Sequence, residues 1–269
     1  MKQEELSDLE KQKMLAILYL NKIYAPGLDE LVVRIAGSIS GKKERESALL
    51  MVSPYLVRSG KLPLADAIAR QELEGYKRVV TLARIGSELA ESSPSQSLSY
   101  LREAEDLLTE IEDSDDQGVL RQEISGGYLR LKDWRKALEL AKRILPPSEM
   151  VYTLRGIAEA LWKVGETANA NAALDDAHAG ANETGQNERA GALDDVARVL
   201  AQMGRSSEAV AVWEEAITFA EFDPECPKLL WSICKEMVSL GYRQRAREVA
   251  LLIKNDARRR DALSLVGEE

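Results

Sequence analysis

The sequence has very little of the chemistry that supports a metal centre or a disulfide framework. Among 269 residues there are two cysteines and one histidine. Cys226 and Cys234 are eight residues apart, and His178 is far from both along the chain. Zinc sites and disulfide-stabilised folds need more of these residues at closer spacing. We therefore expect no metal site, no cofactor and no structural disulfide.

The sequence also has no long hydrophobic run. The most apolar stretch near the N-terminus, MLAILYL at residues 14–20, is too short to cross a bilayer. Glu4, Glu5, Asp8 and Glu10 precede it, whereas a signal peptide begins with positive charge. The sequence therefore predicts a cytoplasmic protein that does not bind a membrane.

The chain has fewer basic than acidic residues. There are 45 acidic and 36 basic residues, for a formal net charge of −9, which disfavours nucleic acid as a partner. The charge is uneven, because residues 102–117 are rich in acid and residues 243–260 are rich in arginine. Weak self-association is therefore an open alternative, in which the acidic segment of one copy attracts the basic segment of another.

One helical pattern recurs along the chain. The segment ALDDVARVL at residues 192–200 has apolar or small residues at its first, second, fifth, sixth and ninth positions, which share one face of a helix. Similar segments occupy residues 48–56, 81–89, 120–128, 153–161 and 229–237. The pattern predicts six repeats.

A turn and a second helix follow each of these segments. The second helices open near small residues spaced 32 to 40 residues apart: Ala65, Ser97, Ala137, Ala170, Ala209 and Ala246. Four of the turns contain a glycine that suits a left-handed helix C-cap: Gly60, Gly165, Gly204 and Gly241. We expect helix-turn-helix repeats over residues 44–269, ending in a partial repeat whose helix, DALSLVGEE, caps the array.

The first 43 residues fit the repeat pattern less well. Residues 4–24 predict one long helix and residues 28–40 a second, and we interpret them as an N-terminal capping pair. The side of the first helix expected to dock on the repeats contains Leu6, Leu9, Lys13, Ala16, Ile17 and Leu20. An alternative is that this helix mediates dimerisation.

The repeats resemble those of the tetratricopeptide-repeat family over roughly residues 44–267. That family has a small residue in the first helix, supplied here by Ser53, Gly86, Ser125, Ala158, Ala197 and Cys234, and another that opens the second helix. The resemblance implies an all-α, right-handed superhelical solenoid of about six helix-turn-helix repeats. It also implies protein binding through a concave groove, without enzymatic activity.

In tetratricopeptide repeats the first helix of each repeat lines the groove. The resemblance places a set of cationic and aromatic groove residues on this chain: Arg130, Tyr152, Arg155, Trp162, Lys163, Arg198, Lys228, Trp231 and Lys235. Asp194 also falls at a groove position, whereas Trp213 lies on a second helix and is expected in the core. Cations pair with carboxylates or phosphates and tryptophan buries an apolar anchor, so the set predicts an acidic or phosphorylated peptide ligand.

Two functional hypotheses follow. The first is a scaffold or adaptor that binds a protein or peptide segment in the groove. The second is a regulatory sensor whose superhelix changes shape when a peptide or small molecule binds. An enzyme is disfavoured, because no metal constellation or paired base and nucleophile is apparent.

The isolated reactive side chains have ordinary structural explanations. We expect His178, beside Asp175 and Asp176, to be solvated near a helix C-terminus. Cys234 falls in a small-residue packing position. Cys226 is expected in a turn, more exposed, with a somewhat acidic thiol.

Overall fold

The architecture is all-α, as predicted. A computed structural model describes residues 6–20, 28–220 and 227–267, and these ranges contain fifteen α-helices and no β-strand. None of the helices in the described ranges is both long enough and apolar enough to span a membrane. The chain forms two compact units, Met1–Leu140 and Ala141–Glu269.

The first unit contains the N-terminal helices and three helix pairs. Its helices are α1 (Asp8–Leu20), α2 (Leu28–Gly37), α3 (Lys42–Arg58), α4 (Leu62–Ala67), α5 (Gly75–Leu89), α6 (Pro94–Leu108), α7 (Ser114–Arg130) and α8 (Trp134–Ala141). A π-helical turn, Ile68–Glu72, continues α4.

The second unit contains three further pairs and a last helix. They are α9 (Pro147–Lys163), α10 (Thr167–Glu183), α11 (Gln186–Gln202), α12 (Ser206–Ala220), α13 (Pro227–Ser239), α14 (Arg243–Leu252) and α15 (Asp256–Val266). The six recurrent segments lie in α3, α5, α7, α9, α11 and α13.

The helices pack in neighbouring pairs. Five of the six first helices lie against the helix that follows them, and α7 reaches α8 through a hydrogen bond of 2.8 Å that Ser125 Oγ donates to the Ala137 carbonyl. First helices also pack on one another, α3 on α5 and α5 on α7 in the first unit, α9 on α11 and α11 on α13 in the second. This is the packing expected of helical repeats.

Small residues occupy buried positions in both helices of each pair. The small positions of the first helices (Ser53, Gly86, Ser125, Ala158, Ala197, Cys234) and of the second helices (Ala65, Ser97, Ala137, Ala170, Ala209, Ala246) are all buried. In the second pair, Ser97 Oγ donates to the Gly86 carbonyl at 2.7 Å. In this pair the absence of bulk lets the two backbones approach closely, and the burial of all twelve positions is consistent with the predicted repeats.

The turn glycines adopt the predicted left-handed conformation. Gly60, Gly165, Gly204 and Gly241 have φ angles of +75°, +84°, +78° and +87°. The third pair has no glycine in its turn, and Lys132 takes the same conformation there with φ +63°.

The N-terminal helices pack on α3, but the docking face of α1 differs from the predicted one. Leu15 is buried, Asp8 Oδ2 accepts the Ser40 N–H at 3.0 Å, and Lys11 Nζ donates to the Ser38 carbonyl at 2.9 Å. The opposite side of α1 is exposed, with Leu9, Lys13 and Ile17 on it, and Leu6, which precedes the helix, is also exposed. Polar contacts with the turn after α2 therefore set the orientation of α1.

The C-terminal helix caps the last pair by packing against α13 and α14. It begins at Asp256, five residues before the predicted segment, and Asn255 Oδ1 caps it by accepting the Arg258 N–H at 3.0 Å. Residues 268–269 lie outside the described ranges, as do residues 4–5 and 21–24 of the predicted first helix and the side chain of Leu20 on its predicted docking side.

Candidate functional site

Eight of the nine predicted groove residues lie in the second unit. They occupy three first helices: α9 contributes Tyr152, Arg155, Trp162 and Lys163, α11 contributes Arg198, and α13 contributes Lys228, Trp231 and Lys235. We call this set the α9–α11–α13 surface. Arg130 ends α7 in the first unit, where its exposed guanidinium lies 3.9 Å from Glu88.

On α9, two aromatic side chains are exposed, and one of them contacts a cation. Tyr152 is 52% exposed and Trp162 is 37% exposed. The Arg155 guanidinium lies 4.9 Å from the centre of the Tyr152 ring, and its Nη1 donates to Glu159 Oε1 at 3.2 Å. Lys163 is exposed. This helix offers apolar area flanked by positive charge.

On α13, two lysines flank a tryptophan at helical spacing. Lys228, Trp231 and Lys235 follow one another at intervals of three and four residues, which places them on one helix face. Both lysines are exposed, and Lys235 Nζ lies 5.9 Å from the centre of the half-buried Trp231 ring. The cation–π contact holds a positive charge beside an aromatic ring.

On α11, Arg198 is held by a buried carboxylate. Its Nε donates to Asp194 Oδ2 at 2.9 Å, and its Nη2 donates to Ser232 Oγ on α13 at 2.5 Å. Asp194 Oδ1 accepts the Nε1–H of Trp213 at 2.8 Å. The predicted groove position of Asp194 is therefore wrong, because its side chain is drawn into the core, where the residue is only 6% exposed.

Burial raises the pKa of the Asp194 carboxyl, and the Arg198 charge and the Trp213 hydrogen bond oppose that shift. Trp213 itself is fully buried, as predicted. The hydrogen bond between Trp213 and Asp194 was not predicted from the sequence. The ion pair between Asp194 and Arg198 was not predicted either, although their spacing by four residues was a visible signal for it.

Several hydrogen-bond donors of the α9–α11–α13 surface have no acceptor among the described residues. Arg155 and Arg198 already face carboxylates, but among the described residues no carboxylate forms an ion pair with Lys163, Lys228 or Lys235. Two further donors, Arg155 Nε and Trp231 Nε1, are buried without a partner in the described part of the chain. Unsatisfied buried donors cost free energy, so acceptor atoms are the groups that this surface lacks.

The isolated reactive residues have local partners. His178 Nε2 lies 2.9 Å from Glu215 Oε2 on α12, so this side chain is less solvated than expected and does not pair with its neighbouring aspartates. Cys234 is buried, as expected, and burial raises its thiol pKa to about 11. Cys226 lies outside the described ranges. Within those ranges, no three His, Cys, Asp or Glu side chains are placed to hold a metal ion.

Comparison with known proteins gives little further information. No protein-family model matches the chain, and no curated protein matches it. Among solved structures, it is similar to the crystal structure of Ton1535 from Thermococcus onnurineus NA1. The match has 17% sequence identity and a TM-score of 0.37, and covers 95% of this chain and 89% of that one.

Proposed function

We propose that this protein is a non-enzymatic interaction scaffold that binds an acidic or phosphorylated peptide segment at the α9–α11–α13 surface. The observation that carries the proposal is the group of lysines without an ion-pair partner, together with two unpaired buried donors, on first helices that pack side by side. Carboxylates and phosphates supply acceptors with negative charge, which lysine and arginine bind by charge-assisted hydrogen bonds.

The exposed rings favour a peptide over a free anion. Tyr152 and Trp162 present apolar area on α9, and Trp231 does so on α13. Tyrosine, tryptophan and arginine are the residue types that carry most binding energy at protein interfaces. The favoured ligand therefore combines acidic groups with at least one apolar side chain.

The proposal includes a tetratricopeptide-like arrangement of the six pairs along a right-handed superhelix, and a cytoplasmic location. The helix pairing, the buried small residues and the left-handed turns support the repeat type. Small-angle X-ray scattering should give a profile that matches an elongated superhelical array of six pairs, and a crystal structure would determine its hand. A profile of a closed globular particle would contradict this part of the proposal.

Selection from a displayed peptide library tests the binding function. The wild-type protein should enrich peptides that carry aspartate, glutamate or phosphorylated residues next to an aromatic or aliphatic residue. Lys163→Glu combined with Lys235→Glu should weaken the binding of an enriched peptide by about tenfold or more, because attraction becomes repulsion. These lysines are better targets than Arg155, whose replacement by glutamate would also disturb Glu159.

A charge-matched variant provides the control. Arg243→Glu combined with Lys254→Glu makes the same change in net charge at two exposed residues outside this surface. It should bind enriched peptides nearly as well as the wild type, and all variants should have similar melting temperatures. Equal binding by the two double variants would show that the α9–α11–α13 surface is not the binding site.

A further inference from the structure

We propose that a pocket in the first unit is a binding site for a small apolar monocarboxylate. The pocket lies between α2, α3 and α4, and its volume is about 450 Å³. Pockets of about 300 to 1,000 Å³ with apolar walls and a few polar groups are typical small-molecule sites.

The walls of this pocket are mainly aliphatic. Val33, Leu49, Leu64, Ala67 and Ile68 line it. Leu49 and Ile68 are buried, and Leu64 is exposed at 36%. A ligand with a hydrocarbon body would cover this apolar area and gain the hydrophobic free energy of burial.

One cation in the wall has no carboxylate partner. Arg45 is half-buried, its Nη1 donates to the Ile39 carbonyl at 3.3 Å, and no described carboxylate forms an ion pair with it. The neighbouring acids are directed elsewhere, since Glu46 accepts from Lys77 Nζ at 2.8 Å and the Glu44 carboxylate folds back toward Gly41. A guanidinium beside apolar walls favours an anionic oxygen pair as its partner.

The remaining wall limits the charge of the ligand. Gln71 and Glu72 belong to the π-helical turn that lines the pocket, and both are exposed. π-Helical turns are rare and occur frequently at functional sites. Arg45 is the one basic residue among the described residues that line the pocket, and Glu72 adds a negative charge, so a ligand with a single carboxylate fits better than a dicarboxylate or a phosphate.

This site is separate from the peptide surface of the proposed function. The pocket residues belong to the first unit and the α9–α11–α13 surface to the second. Either proposal can therefore fail while the other stands.

Titration of the 15N-labelled protein with octanoate tests the site. We expect saturable binding of one octanoate, with amide shifts concentrated at the pocket residues. 1-Octanol has the same chain length without the charge, and should bind about tenfold more weakly because it cannot pair with Arg45. Equal affinity for the two compounds, or shifts that do not saturate, would overturn the proposal.

Two variants separate the charge from the cavity. Arg45→Gln should weaken octanoate binding about tenfold and leave the affinity for 1-octanol nearly unchanged. Gly37→Leu should abolish the binding of both, because Gly37 lines the pocket and a Cβ there has nothing within 4 Å.

Gly185→Leu is the matched control for Gly37→Leu. Gly185 is exposed, does not have a positive φ, and also has open space around its Cβ position. This variant should bind octanoate with wild-type affinity, and circular dichroism should show the same helix content in all variants. Undiminished octanoate binding by a folded Gly37→Leu protein would place the ligand elsewhere.

Discussion

Asp194 ties three helices together through one carboxylate. It lies on α11, accepts from Trp213 on α12, and holds Arg198, which reaches Ser232 on α13. The indole N–H of Trp213 is buried and needs an acceptor, while Arg198 remains partly solvated. The acceptor role of Asp194 should therefore matter more to stability than its negative charge.

Substitution of Asp194 distinguishes these two roles. Asp194→Ala should lower the free energy of unfolding by about 1 to 3 kcal/mol, because it leaves the Trp213 N–H unpaired. Asp194→Asn keeps an acceptor oxygen and should be clearly less destabilising. Urea denaturation at pH 7 measures both, and equal losses would contradict the acceptor role.

The pH dependence gives a second check on Asp194. Its pKa is raised in the folded state above the ordinary value of 3.8, so the folded protein takes up this proton at higher pH than the unfolded chain does. Its contribution to stability therefore grows as the pH falls through the folded pKa toward 3.8. Asp194→Asn cannot take up this proton and should lose stability relative to the wild type over that interval. A constant difference between the two proteins would contradict the raised pKa.

The sequence predicted part of the candidate site. The positions implied by the tetratricopeptide-repeat resemblance put Tyr152 and Trp162 on exposed faces of the first helices, and both side chains are exposed in the structure. It did not show that Asp194 turns inward. That orientation depends on Trp213, nineteen residues away on another helix, and helical periodicity contains no information about such a contact.

At the scale of the helix pair, close backbone approach is the main packing device. A Cβ on Gly86 would lie 2.9 Å from Leu101 Cγ and 3.1 Å from the Ser97 carbonyl oxygen, closer than real Cβ atoms normally come. The backbone carbonyl can move only if α6 moves away from α5. A single methyl group therefore tests the spacing of these two helices.

Gly86→Ala should lower the free energy of unfolding by about 1 to 3 kcal/mol, as overpacking of a core does. Gly156→Ala is the matched control, because Gly156 is also helical but has no atom within 4 Å of its Cβ position. Alanine favours helix over glycine, so the control should stabilise by up to about 1 kcal/mol. Thermal or urea unfolding compares them, and changes of the same sign would contradict the close approach.

The helical elements were more predictable than their capping details. The left-handed turn after α7 forms without glycine, because Lys132 N–H donates to the Leu129 carbonyl at 3.1 Å and Asp133 N–H to that of Tyr128 at 3.0 Å. The turn at Gly60 has the same pair of bonds. Glycine lowers the strain of this motif, but the backbone bonds define it, so a search for glycine alone misses the third turn.

At the scale of the molecule, ion pairs link successive helix pairs within each unit. Arg84 on α5 donates to Glu123 on α7 at 2.6 Å, and both occupy the fourth position of the recurrent segment. Glu103 and Glu105 from the acidic segment pair with Arg70 and Lys136 inside the first unit. The charge that sequence reasoning assigned to self-association is therefore partly used within the chain, and self-association stays a prediction.

The packing of helices on their neighbours in sequence also affects how the chain folds. Within each unit, the helices pack on helices of the same pair or of an adjacent pair, so few contacts join distant parts of the sequence. Low contact order favours fast folding, because little loop-closure entropy is lost before contacts form. During synthesis, each helix pair can thus begin to pack soon after it leaves the ribosome, while the following pairs are still being translated.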